Sequence, residues 1–421
     1  MAPKWFKLDN AAKLYPAVSS SSWGSVFRVS VQLDKPIDRE TLQKAVNDTM
    51  PRFPSMNVRL HKGMFWFYME ENSAPLTVQP EVGHPCMRFV LNREPITRIS
   101  YFRDRINAEF FHSVTDGTGG MVLIKTLTAR YLELQGHRVI YDHGAKNIKE
   151  PPSRGETDDA FLRMKLPKFK QRAKMSRAWH YTGAREMRHT LYVISARMDS
   201  EQIRARAKAM DATITEYMTA VILYTSYQEQ MAASPAKTRP VRVQVPVNMR
   251  GFEKTETLRN FSTYVIPEID PALGEYTFEE VVKTVRGFMR YAVDEKLLKR
   301  EIAQNVSDEK HLLVRLAPLT LKNWIVNMVY TQSGDRIVTT TLSNLGRIEM
   351  PTGTEKYVKD AEFLLGPARE AISNCSMLSM NGQLRLAFTR NMAEPALARR
   401  VLRFLRSEGV DVSVRSNEEE N

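Results

Sequence analysis

Cysteine is scarce in this chain, which has two cysteines, Cys86 and Cys375, among 421 residues. Two thiols cannot form the disulfide framework that stabilises small secreted domains. Neither cysteine has a second one nearby in the sequence, so a zinc finger of the Cys-x-x-Cys type is excluded as well. We expect both residues to be reduced thiols that fill apolar positions in the core.

Long hydrophobic runs are also missing. No window approaches the ~18 uninterrupted apolar residues that a membrane-spanning helix needs, so we expect no transmembrane segment. The first seven residues lack the apolar centre of a secretory signal peptide, which predicts a cytoplasmic protein. The histidines other than His112 show no metal-ligand spacing, so we expect no metal site.

The composition is that of a globular protein, with 43% apolar and 26% charged residues. This balance excludes low-complexity disorder and fibrous repeats. At a usual size of ~100–200 residues per domain, the length fits two or three packing units.

Positive charge is unevenly distributed along the chain, whose net charge is +13. Residues 146–188 carry twelve Lys and Arg against five Asp and Glu, and they include Pro151, Pro152 and Pro167. These features predict a basic crossover linker between a first subdomain, residues 1–145, and a second subdomain, residues 189–421. A basic segment attracts an anionic partner such as a phosphorylated cofactor or an acidic carrier protein, or it is a solvated linker without a ligand; both interpretations stay open.

Strand and helix patterns alternate in both halves, which predicts an α/β or α+β class. Residues 26–33 and 191–198 favour strands, and Asp38 and Asp199 favour the starts of the helices that follow them, with Gln202 as a reciprocal partner of Asp199. Further predicted elements are capping boxes at Thr213–Glu216 and Thr277–Glu280, a hairpin formed by 99–102 and 106–114, and strands at 241–249, 337–342 and 65–68. Pro246 has no N–H to donate, so we expect the strand at 241–249 either to lie at a sheet edge or to end near this proline.

The stretch from Phe110 to Gly120 carries the chemistry. A predicted strand delivers His112, a glycine-rich turn follows, and a helix is predicted over 121–135. A histidine that acts as a general base must be neutral, with one ring nitrogen facing the substrate and the other held by a fixed acceptor. Asp116 is expected to pair with an arginine and fix the loop, and Gly117 to supply positive φ and room for a ligand. The stretch is also compatible with a structural histidine beside an Asp-Gly turn and, more weakly, with a phosphate-binding loop.

His112-x-x-x-Asp116-Gly117 resembles the signature of the chloramphenicol acetyltransferase-like superfamily, closest to its alcohol acetyltransferase and condensation-domain-like branch. Two departures are that Arg259 stands where a glycine is usual, and that Phe111 precedes His112 where some condensation domains have a second histidine. Three further stretches resemble the family in order along the chain: Met50-Pro51-Arg52-Phe53-Pro54 with Arg59-Leu60, Pro246-Val247-Asn248-Met249-Arg250 with Arg259-Asn260-Phe261, and Ser343-Asn344-Leu345-Gly346.

The resemblance implies two similar α/β subdomains, built of mixed sheets flanked by helices, with an active-site tunnel between them. It implies an acyltransferase that moves an acyl group from a thioester donor, acyl-CoA as cosubstrate, to an alcohol or amine acceptor. His112 would be the general base, with no tightly bound cofactor. Arg250 is the expected partner of Asp116.

Two further sets of residues follow from this hypothesis. The candidates for the hydroxyl that stabilises the oxyanion are Thr340, Thr341 and Ser343. The candidate contacts of coenzyme A or an acyl carrier protein are Lys165, Lys168, Lys170, Arg172 and Lys174.

Three further functions compete with an acyl-CoA-dependent enzyme. One is a condensation-type acyltransferase that takes its donor from a carrier protein. Another is a catalytically silent relative that serves as a binding protein. The last, a nucleic-acid-binding protein that uses the basic segment with Phe161, Phe169 and Trp179, lacks any recognised module, and we expect no nucleic-acid partner.

Overall fold

A computed structural model of the chain describes residues 4–19, 24–167, 175–187, 190–233, 238–309, 317–367 and 373–418. Within these ranges the strands lie in three sheets, and most of the longer helices pack on the two larger ones. No helix of the described ranges has both the length and the apolar character needed to cross a lipid bilayer.

The first half of the chain contains seven strands and three helices of five residues or more in the described ranges. In chain order they are β1 (Trp5–Lys7), α1 (Leu14–Val18), β2 (Val26–Leu33), α2 (Arg39–Thr49), β3 (Val58–Lys62), β4 (Phe67–Glu71), β5 (Gln79–Pro80), β6 (Thr97–Phe102), β7 (Arg105–Phe111) and α3 (Gly117–Leu134). Apolar residues at helical spacing bury α3 against β2, and Leu123, Leu127 and Tyr131 are each 1% exposed or less.

The second half begins with α4 (Arg154–Thr157), inside the basic segment. The elements after it are β8 (Tyr192–Asp199), α5 (Ser200–Ala209), α6 (Ile214–Ala233), β9 (Val241–Asn248), β10 (Ser262–Val265), β11 (Glu268–Ile269), α7 (Phe278–Ala292), α8 (Glu295–Glu309), α9 (Leu319–Ser333), β12 (Thr340–Arg347), β13 (Val358–Leu365), β14 (Ser373–Met380), β15 (Gln383–Arg390), α10 (Ala396–Ser407) and β16 (Val412–Ser416). Its core lies between the sheet formed by most of these strands and the helices α6, α7 and α10.

Three sheets connect these elements. The first half contributes a small sheet of order β1-β4-β3 and four of the strands in the order β13-β2-β7-β6-β5. The second half forms a mixed sheet of order β10-β9-β12-β14-β15-β8-β16, with β11 also paired to β9. In this sheet β12 runs parallel to both β9 and β14, while the other pairs are antiparallel.

Strand β13 belongs to the second half by sequence and to the first half by hydrogen bonding. It pairs antiparallel with β2 from Val358 opposite Leu33 to Leu365 opposite Phe27. The next strand, β14, returns to the sheet of the second half. The two halves are therefore interleaved, and the division at residues 145 and 189 stays a prediction.

Most of the local predictions are confirmed. Strands β2 and β8, the hairpin of β6 and β7, and the helix starts at Asp38 and Asp199 are present. Both capping boxes are present as well, because Thr213 and Thr277 exchange hydrogen bonds with Glu216 and Glu280.

Several local predictions are wrong. The side chain of Gln202 reaches Asp411 instead of closing a capping box with Asp199. Residues 335–337 form a short 3₁₀ helix, so the predicted strand at 337–342 begins instead at Thr340. The predicted strand at 65–68 is present only from Phe67, where β4 begins, and Phe65 is 38% exposed.

Strand β9 is not at an edge, because it lies between β10 and β12, but it does end near the proline, at Asn248. The ladder with β12 covers Val243 and Gln244, while Pro246 faces Tyr264 of β10. The proline therefore lies beyond the part of the strand that pairs with β12. Its missing N–H leaves no hydrogen bond of that ladder unmade.

Candidate active site

His112 directly follows β7 and is held in place by its backbone. The buried side chain of Phe111 fixes the end of the strand in the core of the first half. The His112 amide then donates to the Ser25 carbonyl at 2.7 Å. The position of the imidazole is thus determined by the strand that precedes it, as the sequence predicted.

Two aromatic rings enclose the imidazole. Tyr15 stacks on it at 4.4 Å between ring centroids and 18° between planes, and Phe27 presents its edge at 5.1 Å. Burial lowers the pKa of His112 from its ordinary value of 6.5, so the ring is neutral at pH 7. The residue as a whole is half-buried, and a neutral imidazole is what a general base requires.

The side chain of Asn260 fixes the tautomer of His112. Its amide nitrogen Nδ2 donates to the His112 carbonyl at 2.9 Å and lies 3.3 Å from Oδ2 of Asp9, so its Oδ1 is the acceptor end. Oδ1 lies 3.1 Å from His112 Nδ1, which must therefore carry the proton. The lone pair is left on Nε2, which makes no hydrogen bond with any described residue.

Asp9 supports Asn260 from the other side. It is fully buried, accepts from the Ala12 amide at 2.7 Å through Oδ1, and lies 3.5 Å from Arg259 Nη2 through Oδ2. Burial raises the pKa of Asp9 to about 6 against the opposing effect of Arg259. The arginine that departs from the family pattern thus has a local role, because it supplies the countercharge for a carboxylate behind the candidate base.

Asp116 collects hydrogen bonds from both halves of the chain. Its Oδ1 accepts from the Gly119 amide at 3.1 Å and so caps α3. Its Oδ2 accepts from the Phe261 amide at 2.9 Å and from Arg250 Nη1 at 2.8 Å. Asp116 therefore connects the start of α3 to the segment that carries Asn260.

The expected ion pair between Arg250 and Asp116 is present, and Arg250 makes further bonds. Its Nε donates to the Thr257 carbonyl at 3.0 Å and its Nη2 to the Arg259 carbonyl at 2.6 Å. One guanidinium thereby shapes the whole loop before Asn260. Asn248, two residues earlier, caps the short helix that contains Arg250.

Close packing requires a glycine at position 117. The prediction that Gly117 supplies a positive φ and open space for a ligand is wrong. Gly117 is the first residue of α3 and is not among the glycines with positive φ. A Cβ at this position would lie 2.6 Å from Cδ2 of Leu345 and 3.3 Å from Cζ of Phe363. The missing side chain lets β12 and β13 approach the start of the helix.

The three candidate oxyanion donors do not share one face of β12. Thr340 is fully buried and its hydroxyl donates to the Ser373 carbonyl at 2.8 Å, so it is removed from the set. Thr341 and Ser343 are half-buried and alternate with Leu342, which is in the core of the second half. Ser343 lies opposite Ser376 of β14, whose hydroxyl donates to the Phe363 carbonyl of β13, so Thr341 and Ser343 lie on the face that points to the first half.

The basic segment is anchored at its start. Arg52 makes two hydrogen bonds to the buried Glu156, at 2.5 and 2.9 Å, and Lys146 Nζ lies 2.9 Å from the same carboxylate. Lys165 is exposed on the surface. The remaining candidate contacts of coenzyme A or a carrier protein, Lys168, Lys170, Arg172 and Lys174, lie outside the described residues.

Three residues that contact the candidate base or its support were not predicted from the sequence. Asn260 lies in a stretch that carried the family resemblance, and this position is the signal that could have identified it. Tyr15 and Asp9 lie in the first residues of the chain, where no sequence pattern pointed to them.

The comparisons with known proteins are limited to folds. No family model matches the chain, and no curated protein matches it. Among solved structures, TRI101 of F. sporotrichioides, complexed with coenzyme A and T-2, is 10% identical, with 97% of this chain and 99% of that chain covered and a TM-score of 0.65.

Two more solved structures agree. Polyketide synthase associated protein 5 from Mycobacterium tuberculosis is 14% identical, with 95% of this chain and 96% of that chain covered and a TM-score of 0.61. The first condensation domain of the calcium-dependent antibiotic synthetase is 14% identical, with 96% and 95% covered and a TM-score of 0.61. The chain thus has the two-subdomain α/β fold of the chloramphenicol acetyltransferase-like proteins, which confirms the predicted fold class.

Replacing Asp116 by Asn should destabilise the protein, because it removes the charge that pairs with Arg250 and leaves one acceptor oxygen instead of two for Arg250 and the two backbone amides. We expect a loss of about 3 kcal/mol in the free energy of unfolding, as for other broken buried ion pairs. The measurement is denaturant unfolding. The matched control is Asp48→Asn, which breaks the ion pair with Arg130 at a carboxylate that is 40% exposed and should cost less than about 1 kcal/mol. Equal stability of D116N and the wild type would contradict the structural role of Asp116.

Replacing Gly117 by Ala should also destabilise the protein, by about 1–3 kcal/mol, because the added methyl group overlaps Leu345. Thermal and denaturant unfolding measure the effect. When Leu345→Ala is combined with G117A, the total loss should be smaller than the sum of the two single losses. The control is Gly287→Ala, at an exposed helical position with nothing within 4 Å, which should stabilise by about 0.5–1 kcal/mol. Additive losses would show that the two residues do not compete for space.

Proposed function

We propose that this chain is an acyltransferase that moves an acyl group from a thioester donor, acyl-CoA, to an alcohol or amine acceptor. The observation that carries the proposal is the state of His112. Burial keeps its ring neutral by lowering its pKa, and Asn260 holds the proton on Nδ1, so Nε2 is left as a base. A purely structural histidine that is buried normally has partners for both ring nitrogens, whereas Nε2 of His112 has no partner among the described residues.

The reaction uses the base twice. Nε2 takes the proton of the acceptor O–H or N–H while that atom forms a bond to the thioester carbonyl carbon. The tetrahedral intermediate then collapses, the carbon–sulfur bond breaks, and the departing thiolate takes the proton back from Nε2. The ring ends neutral, no acyl-enzyme forms, and general base catalysis of this kind contributes about 10²–10⁴-fold.

The oxyanion that forms on the thioester oxygen needs a hydrogen-bond donor. We assign this role to Thr341 or Ser343, whose hydroxyl groups lie on the face of β12 directed to the first half. Both are half-buried, and both therefore lose less solvation on meeting a substrate than an exposed hydroxyl does. Arg250 and Asp116 act in this proposal as positioning residues, since they contact the loop and the helix rather than the imidazole.

One observation favours coenzyme A as the carrier of the donor, and a second is compatible with it. The structurally similar TRI101 is described as a complex with coenzyme A. The basic segment offers cations to the phosphate groups of such a donor, among them the exposed Lys165. An acyl carrier protein is acidic and would be attracted by the same charges, so the carrier-dependent, condensation-type enzyme remains the second candidate.

The binding-protein and nucleic-acid hypotheses are less well supported. A catalytically silent binding protein gives no reason for an oriented, neutral imidazole whose Nε2 is left as an acceptor. A nucleic-acid-binding surface loses one of its proposed stacking residues, because Phe161 is 4% exposed and packs on Phe261. Trp179 packs on Tyr181, and Phe169 lies outside the described residues.

Replacing His112 by Ala should lower the rate of thiol release from a panel of acyl-CoAs by about 10²–10⁴-fold, because the proton acceptor is removed. Replacing Asn260 by Ala should lower it by about 10- to 100-fold, the equivalent of one buried hydrogen bond, since the ring can then adopt the other tautomer. The control is His143→Ala, which removes an imidazole that is 41% exposed and should leave the rate unchanged. Wild-type rates in H112A would falsify the general-base assignment.

The Michaelis constant for acyl-CoA should rise steeply with added salt, because screening weakens the attraction between the phosphates and the basic segment. Lys165→Ala should flatten this dependence, and Lys296→Ala, an exposed lysine on α8, should not. An acyl-pantetheine thioester, which lacks the nucleotide phosphates, serves as the matched substrate. A flat salt response for acyl-CoA, together with turnover only when a carrier protein delivers the donor, would favour the condensation-type enzyme instead.

A further inference from the structure

The two larger sheets contact each other through charged side chains. Alternation along β2 directs Phe27 to the apolar core and the buried Arg28 to the opposite face of the sheet. Across this contact, Arg385 of β15 and Arg415 of β16 both pair with Asp360 of β13. Layers of secondary structure usually meet through apolar side chains, so a contact built from ion pairs is unusual.

A cavity of about 170 Å³ lies within this contact, and we call it the intersheet cavity. Arg105 and Glu362 line it from the sheet that contains β2. Ser195 and Arg415 line it from the sheet that contains β8. The side chain of Arg415 is 52% exposed, so a ligand can enter the cavity from solvent on that side.

The intersheet cavity is separate from the candidate active site. Arg28 lines the cavity, and it directly follows Phe27, whose edge contacts His112. Successive side chains of a strand point to opposite faces of the sheet. The sheet therefore lies between the cavity and the imidazole, and a ligand in the cavity does not contact the proposed base.

Two guanidinium groups at the cavity have donors that no described residue accepts. Arg105 Nη1 lies 3.7 Å from Glu362 Oε2, and Arg415 Nη2 lies 3.7 Å from Asp360 Oδ2. Both distances exceed the ~2.7–3.2 Å of an N–H···O hydrogen bond. By contrast, Arg28 donates three hydrogen bonds to carboxylates. Arg105 and Arg415 can therefore donate to a ligand without losing a bond to the protein.

Ser195 adds a buried hydroxyl group. It is 5% exposed and lies opposite Arg415 in the ladder between β8 and β16. Its oxygen accepts from Arg385 Nη1 at 3.4 Å, and its own O–H meets no acceptor among the described residues. Buried polar groups normally have their partners, so an acceptor atom of a ligand in the cavity would complete this one.

Positive charge is in excess at the cavity. Three arginines share two carboxylates, and the residues are Arg105, Arg385 and Arg415 with Asp360 and Glu362. The other ion pairs of this face, formed by two arginines and two glutamates of the first sheet, balance in charge. An unbalanced cation attracts an anion more strongly at a partly buried position than at an open surface, because water screens it less.

We propose that the intersheet cavity binds one phosphate group, supplied by inorganic phosphate or by a small phosphate monoester. Phosphate oxygens accept hydrogen bonds from guanidinium groups in a bidentate manner and from a hydroxyl, which are the donors present here. A guanidinium has five N–H donors, so Arg105 can keep its contact with Glu362 while it binds the ligand. The bound anion connects Arg105 of one sheet to Arg415 of the other. The proposal does not depend on the proposed acyltransferase activity.

Isothermal titration calorimetry with inorganic phosphate, at an ionic strength held constant with chloride, tests the proposal on the full chain. The wild type should bind one phosphate per chain. Arg415→Gln should weaken binding about tenfold or more, the equivalent of one charged hydrogen bond. Glu362→Gln should tighten binding, because it removes a negative charge from the cavity. The matched control is Arg347→Gln, at a guanidinium that is 76% exposed and pairs with Glu349 outside the cavity, and it should bind as the wild type does.

A second titration with glycerol phosphate distinguishes the two sources of the phosphate group. Tighter binding of the ester than of the free ion identifies a monoester as the ligand, and the reverse identifies inorganic phosphate. Thermal unfolding gives an independent measurement, since a ligand that binds only the folded chain raises its melting temperature.

Two outcomes would overturn the proposal. The first is the absence of saturable binding by the wild type with both ligands. The second is equal phosphate affinity of R415Q and the wild type, which would assign binding to the overall positive charge of the chain. Circular dichroism of each variant checks that the fold is retained, and the half-exposed Arg415 is the position least expected to disturb it.

Discussion

The carboxylate of Asp116 is the point at which the two halves of the chain meet. It caps α3 of the first half, and it receives the Phe261 amide and the Arg250 guanidinium of the second. A carboxylate that is only 5% exposed is stable there because every donor around it carries positive or partial positive charge, including the first turn of a helix. Since Phe261 directly follows Asn260, the same contacts set the distance between Asn260 and His112.

Different groups orient the imidazole of His112 and carry the negative charge near it. An aspartate in place of Asn260 would hold Nδ1–H equally well, but its negative charge would raise the pKa of the ring and favour the protonated, non-basic form. The amide orients the ring without that effect. The negative charge near the imidazole is instead on Asp9, which contacts the far side of Asn260 and is neutralised by Arg259. As a result, His112 stays neutral while the nearby carboxylate of Asp9 has its charge balanced by Arg259.

The parts of the fold that depend on neighbouring residues could be predicted from the sequence. Capping boxes and period-two strands arise within a few residues, and the stretches that carry His112, Asp116 and Arg250 could be singled out by their resemblance to a known family. The remaining features depend on contacts between distant segments. Asn260 is 148 positions from His112, and the space beside Gly117 is filled by Leu345 from another strand. The aromatic run at 65–68 could not be placed correctly because its surroundings, α9 among them, are set by tertiary packing.

The interleaving of the halves has a consequence for biosynthesis. Strand β2 leaves the ribosome before its neighbour β13, which is translated more than three hundred residues later. Until then the nascent first sheet ends at an unprotected β2, whose free amides and carbonyls invite pairing with other chains. The sheet of the first half therefore cannot finish folding during translation until β13 has left the exit tunnel.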